Sequence, residues 1–416
     1  LGLFDFLSGK KTNTETESRS VFGQTIIGSS IFNNAAGQDV SKDQAIRIAA
    51  VWSCVRVLSE TIASLPISLY SKDDKNNKIK LTKDPLNSLI GEQPSTIYNS
   101  FMFFERALVD LSFDGNFCAY IERNQGGLPV ALHPIQYDDV DVFISPDGRE
   151  VYYEVSQDKE NTYPISGKVQ SINMIHIKGL SFNGVVGKSP IEVAAETLGI
   201  SIALEKHAGN WFRNGSQLGG ILKHPGTLKP ETAKRLRESW SSNYSGVSNA
   251  GKTAILEEGM EWMARTVPNN QAQFIESREY QISDICRIFR VPNHLVNDLS
   301  NATYSNIEAQ QIDFVVHTIT PWVKRIESEL NNKLIPSNKR GEQYFKFNLN
   351  AILRGDSKSR ADYYRTLINI GVLSPDEVRS FEDLNPMGGE SEKVYMQSNM
   401  MPLDKLGEDT SRTNVE

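Results

Sequence analysis

The chain has 416 residues, 39% of them hydrophobic and 23% charged, with a formal net charge of -7. That length exceeds what one hydrophobic core usually organises, so several lobes are expected. The acidic balance argues against a generic nucleic-acid grip, because proteins that hold duplex DNA collect Lys and Arg to displace its counterions.

Residues 8 to about 40 are rich in Ser, Thr, Asn, Gly and Gln, the composition of an arm that does not bury enough to order itself. From Asp43 to Ser64, Ile46, Ala49, Ala50, Val57, Leu58 and Ile62 follow helical spacing and Pro66 ends the pattern, which predicts a helix. A second helix is expected over Ser100 to Leu111. Alternating segments from Phe117 to Lys178 then read as strands, with hairpin turns at Gly126-Gly127 and Asp147-Gly148. These segments make an α+β lobe. Ser189, Pro190 and Glu192 combine an N-cap, a proline at the first helical position and a capping box. The helix they open should reach Asn214, with Gly215 as a left-handed cap, roughly 25 residues and about 37 Å long.

Between Gly215 and Asn270 the pattern gives a strand at Gly220 to Lys223, a helix at Pro230 to Ser241 and a hairpin from Thr253 to Thr266. A second long helix spans Gln271 to Arg290 and ends at Val291-Pro292. A polar loop, Asn293 to Tyr304, leads to Ser305 and Glu308, another capping box. The third long helix carries Ile312, Val315, Ile319, Val323, Ile326 and Leu330. Pro321 within it removes a backbone hydrogen bond, so a kink is expected there. Tyr344 to Leu349 alternates like a strand. Residues 357 to 384 form two short helices separated by Gly371, the second capped by Ser374, Pro375 and Glu377, and the tail from about Pro386 is polar.

This order resembles that of phage portal proteins, the large family from long-tailed double-stranded DNA phages. AVWSCVRVLSETIASLPISLY at Ala50 to Tyr70 resembles its first wing helix and strand. GKSPIEVAAETLGISIALEKHAGNWFRNGSQLGGIL at Gly187 to Leu222 resembles its entrance to the stem. RVPNHLVNDLSNATYSNIEAQQIDFVVHTITPWVKRIESEL at Arg290 to Leu330 is similar to its stem exit, tunnel loop and kinked helix. The resemblance implies an α+β portal fold with nine segments. They are a flexible arm over 1–40, a wing over 41–186, a stem helix over 187–214, a clip over 215–270, a second stem helix over 271–292, a tunnel loop over 293–304, a kinked wing helix and strand over 305–354, a helical crown over 355–385 and a flexible tail over 386–416.

It also implies a ring of roughly twelve subunits, since head-to-tail packing closes when the rotation permits. Its partners are the terminase large subunit, the head-tail connector, the major capsid protein and scaffold, and the DNA that passes through. The loop residues Val296, Asn297, Asp298, Leu299, Ser300, Asn301, Ala302, Thr303 and Tyr304 include one acid and no base, so they are expected to meet DNA as a steric collar. Lys229, Lys234, Arg235, Arg237 and Trp240, in a locally basic stretch, are the expected docking residues of the clip.

A rival reading comes from GVSNAGKT, where Gly246, Gly251, Lys252 and Thr253 satisfy the phosphate-loop pattern of a nucleotide-hydrolysing packaging component. Such a loop must leave a hydrophobic strand and open a helix. Here a charged helical stretch precedes it and Ala254 to Trp262 reads as strand and turn, so it is taken as a decoy. Cys54, Cys118 and Cys286 show no metal or disulfide spacing, and the six histidines, His133, His176, His207, His224, His294 and His317, read as structural. Asp138, Asp139 and Asp141 read as solvated. No run of about 18 apolar residues occurs, so no membrane span is expected, and the interrupted patch Leu3 to Leu7 is not read as a signal peptide. No catalysis, metal or cofactor is expected.

Overall fold

The first expected helix is split in the computed structural model, which describes residues 37–72, 77–156, 164–213, 220–244, 256, 259–264, 271–296, 310–349, 357–382 and 384–396. A short α1 (Lys42–Ala45) is capped by Ser41, and Ile48, extended at ψ 115, separates it from α2 (Ala49–Ala63). α2 buries Val51, Cys54, Val55, Leu58 and Ile62 along one stripe. Of the expected N-terminal arm, positions 1–36 lie outside the described residues, and Val40 is fully buried.

After β1 (Ile67–Lys72) and β2 (Lys78–Lys80) comes α3 (Pro85–Gly91), which the periodicity did not give. Its signal was nevertheless local: the Asp84 carboxylate accepts from Leu86 N and Pro85 takes the first turn. α4 (Ser100–Phe113) is capped by Asn99 and packs on α2. Phe103 and Phe104 on it meet each other, Phe117 and Phe347 edge to face.

Two antiparallel sheets follow. β3 (Asn116–Arg123) lies between β4 (Pro129–Ile135) and β8 (Met174–Lys178), while β6 (Val151–Val155) lies between β5 (Val140–Ile144) and β7 (Gly167–Gln170). Gly127 at φ 78 and Gly148 at φ 72 make the two expected turns. Cys118, Ile135, Val142, Tyr153, Val155 and Met174 fill the space between the sheets.

The signposted helix is also split, into α5 (Pro190–Val193) and α6 (Ala195–Arg213), at Ala194. Half of its capping box forms: Ser189 accepts from Glu192 N, but the Glu192 carboxylate pairs with Lys188 instead of turning back to the cap. Gly215 lies outside the described residues. β9 (Gly220–Lys223), α7 (Pro230–Tyr244) and β10 (Glu261–Ala264) follow. β10 pairs antiparallel with β9, Glu261 opposite Lys223 and Ala264 opposite Gly220. The expected hairpin over Thr253 to Thr266 is thereby corrected for its described part, because the partner of residues 261–264 lies across α7.

α8 (Gln271–Phe289) ends at Arg290, and residues 310–314 are helical, the expected capping box of Ser305 and Glu308 lying outside the described residues. The interruption expected at Pro321 is a π turn over Val315–Ile319, one turn before the proline, followed by α9 (Thr320–Leu334). The Thr320 backbone and hydroxyl both donate to Val315 O. The wider turn accommodates the chain where Pro321 offers no N–H. β11 (Gln343–Phe347) then pairs with β1. Its outer edge is closed by α9, since Phe345 N donates to Asn331 Oδ1 and Phe347 N donates to Glu327 Oε1.

All of these elements belong to a unit ending at residue 348, and residues 349–416 form a second unit. In the second, α10 (Ser357–Asn369) ends near Gly371 at φ 72, and α11 (Pro375–Phe381) carries the complete expected capping box of Ser374 and Glu377. Past Pro386 the described chain makes contacts back to this unit. The Asp376 carboxylate accepts from Met387 N and Gly388 N, and Ile370 bridges Met396.

Candidate functional site

The long helix that α6 begins is fastened to the α+β body where three glycines converge. Gly115, at φ 69, caps α4, and its carbonyl accepts from Gly179 N at 2.8 Å. A Cβ on Gly187 would stand 2.0 Å from Gly115 O and 2.9 Å from Gly179 N, so the backbone crossing requires hydrogen there. Asn116 ties the same strands together. Its Oδ1 accepts from Gly187 N, and its Nδ2 donates to Asp114 O and Gly187 O.

With Asn116 Oδ1 fixed as an acceptor, His176 donates to it from Nε2 at 3.1 Å and accepts from the Tyr153 hydroxyl at Nδ1. The imidazole is thus held neutral and structural, as its sequence reading has it. Burial, with Lys178 and Lys333 nearby, lowers its pKa to about 3. α9 is strapped across β8 by charged side chains. Arg325 donates to Lys178 O and Gly179 O, Lys333 to Ser171 O and Oγ, and Arg123 reaches Lys333 O.

Beyond this junction α6 and α8 run against each other, joined by Ser201 Oγ donating to Gln281 Oε1 at 2.8 Å. Cys54 of α2 and Cys286 of α8 are buried with their sulfurs 3.9 Å apart, a proximity that their spacing of 232 residues hides. Lys229, Lys234, Arg235 and Arg237 are exposed on and beside α7, and Trp240 on the same helix is half-buried. Lys42 holds Asp138, which reads from sequence as merely solvated.

Of the expected loop, Val296 closes a short helical turn over Asn293–Val296, while Asn297, Asp298, Leu299, Ser300, Asn301, Ala302, Thr303 and Tyr304 lie outside the described residues. Gly246, Gly251, Lys252 and Thr253 lie outside them too. Their described flanks run helix before and strand after, α7 and then β10, which is the reverse of what a phosphate loop requires.

The chain is thus an α+β body with two long helices packed on each other and a small sheet and helix inserted between them in sequence. The model of the family described as phage portal protein matches residues 49–383, and the chain belongs to that family. It is 33% identical over 382 residues to the probable portal protein of Streptomyces phage phiC31, covering 90% of this chain and 82% of that one. It is 30% identical over 371 residues to the portal protein of Enterobacteria phage HK97, covering 88% and 86%. In fold it matches a chain from the neck of a native gene transfer agent particle computed with C12 symmetry, at TM-score 0.53 and 20% identity, over 83% of this chain and 94% of that one.

Proposed function

We propose that copies of this chain form the ring at the portal vertex of a tailed phage particle, through which double-stranded DNA is packaged and ejected. The observation that carries this reading is family membership across residues 49–383, and the C12 symmetry of the related neck supports twelve subunits. In this reading α6 and α8 are the stem, the insert between them is the clip, and residues 293–304 are the tunnel loop. Residues 355–385 form the crown, and the ring assembles in the host cytoplasm with the major capsid protein and scaffold around it.

The chain is a passive conduit in this reading. Residues 296–304 of its loop carry no base to clamp DNA, and force comes from a terminase large subunit docked on the exposed cations of α7, replaced later by the head-tail connector. Electron microscopy of the purified full chain is expected to show rings with an opening wide enough for duplex DNA; monomers or closed solid oligomers would rule the conduit out. Reversing charge at Lys234 and Arg235 together (Lys234→Glu, Arg235→Glu) should weaken connector binding about tenfold or more, as loss of steering and contact charge does at other interfaces. Unchanged binding removes α7 as the docking face.

A further inference from the structure

A cavity of about 800 Å³ lies where α8 ends, lined among others by Arg287, Arg290, His294, Gln310, Asp313 and His317. Arg290 adopts φ 55, and Val291 N closes the helix end across it by donating to Cys286 O at 2.9 Å. Glycine is the usual residue at such a left-handed cap, and an L side chain costs about 1–2 kcal/mol there. The Arg290 guanidinium makes no ion pair or hydrogen bond among the described residues that would offset this cost. Arg287, in contrast, is paired with Asp284.

His294 supplies the second observation. Its Nδ1 lies 2.7 Å from the Gln310 side-chain amide, while its Nε2 is buried without a hydrogen-bond partner. Asp313, the acid of the lining, is largely exposed and lies 3.5 Å from His317. Cations at a helix C-terminus complement the helix dipole. That accounts for basic residues near the end of α8, but not for the orphaned imidazole nitrogen, nor for arginine where glycine fits.

We propose that this cavity is an oxyanion site that takes a phosphate group, with Arg290 and His294 as its principal donors. Turning the Gln310 amide end for end, a change that leaves its shape intact, lets Nδ1 accept and frees Nε2–H to donate. His294 and Gln310, both of the lining, stand in the sequence on either side of residues 297–309, so the site is at the root of the segment that the conduit reading puts beside DNA. The proposal rests on that reading only for the source of the phosphate; the chemistry is the same for a duplex backbone and for free phosphate.

Calorimetric titration of the full chain with inorganic phosphate tests it, beside Arg290→Gly and His294→Phe. Arg290→Gly relieves the left-handed cap, so it should keep or raise the melting temperature while weakening phosphate about tenfold or more, the scale of one charge-assisted hydrogen bond. His294→Phe should weaken it as well. Absence of phosphate binding by the native chain, or equal binding by Arg290→Gly, overturns the site. A short duplex at low salt that competes with phosphate identifies the backbone as the source, and one that does not compete identifies the free ion. Rings seen by microscopy that bind no phosphate would sink this site and leave the conduit standing.

Discussion

Gly187→Ala is expected to destabilise the first unit by about 3 kcal/mol or more, at the upper end of what an overpacked site costs. Both nearest atoms, Gly115 O and Gly179 N, are backbone, at 2.0 Å and 2.9 Å from the added carbon. No rotamer change can make room. The strands that carry Asn116 and Lys178 would have to part, and with them the hydrogen bonds that seat the start of the long helix. Gly209, on α6 with nothing within 4 Å of a built Cβ, is the matched control. Gly209→Ala should gain up to about 1 kcal/mol from helix propensity alone. Denaturant unfolding of the two variants checks the pair, and equal midpoints would refute the account of the crossing.

The second large effect is on pH dependence, where two buried groups oppose each other. His176 is held neutral, its pKa lowered from the ordinary 6.5 to about 3 by burial and nearby lysines. Below pH 6.5 the unfolded chain takes a proton that the folded one refuses, so this group removes stability as pH falls towards 3, by up to about 1.4 kcal/mol per pH unit. Asp110 runs the other way. Burial pushes its pKa from 3.8 to about 7 although Arg106 pairs with it, so the folded chain keeps a proton that the unfolded one has lost. Its contribution is complete below pH 3.8 and disappears as pH rises through 7.

Between about pH 4 and 6.5 the two slopes therefore cancel in large part. Asp110→Asn should uncover the histidine, giving stability that climbs with pH across that window. His176→Gln should uncover the carboxylate, giving stability that declines. Unfolding midpoints at three pH values for each variant and the native chain decide the matter through slopes, which are insensitive to any constant cost of the substitution. Parallel curves for all three would show that neither group titrates as its surroundings dictate.

Several local signals, whose chemistry closes within a few residues, held, although the Ser189 and Glu192 box formed only by half. The Ser374 and Glu377 box, the turns at Gly127 and Gly148, and the strand Gly220–Lys223 are where their residues put them. α3 escaped because its seven residues are too few to show a period, although Asp84 and Pro85 mark its start as plainly as Ser189 and Pro190 mark that of α5. The breaks at Ile48 and Ala194 escaped for a different reason. Apolar spacing continues through both, while the backbone departs from helical values, at ψ 115 and ψ 8.

What sequence could not give was pairing at a distance. β10 finds β9 across a whole helix, and Asn116, His176 and Glu329 meet from positions 60 and 153 residues apart. Nor does periodicity reveal a left-handed arginine or an imidazole nitrogen without a partner. The exposed cations of α7 were legible as a charge run, whereas the bases around the end of α8 were scattered among acids in sequence and gather only in three dimensions.

The closed edge of β11 has a consequence for how many copies can crowd together without error. A bare strand edge templates the strand of any neighbour, and subunits concentrated at one vertex would meet that hazard constantly. Asn331 and Glu327 occupy the edge amides on one side of the sheet, and Lys78 and Lys80 make the opposite strand unwelcoming. Runaway polymerisation through this sheet is thereby forestalled before any partner arrives. Copies are left to recognise one another by the shapes and charges of their side chains, contacts that can be specific to one neighbour and still come to an end when a circle is complete.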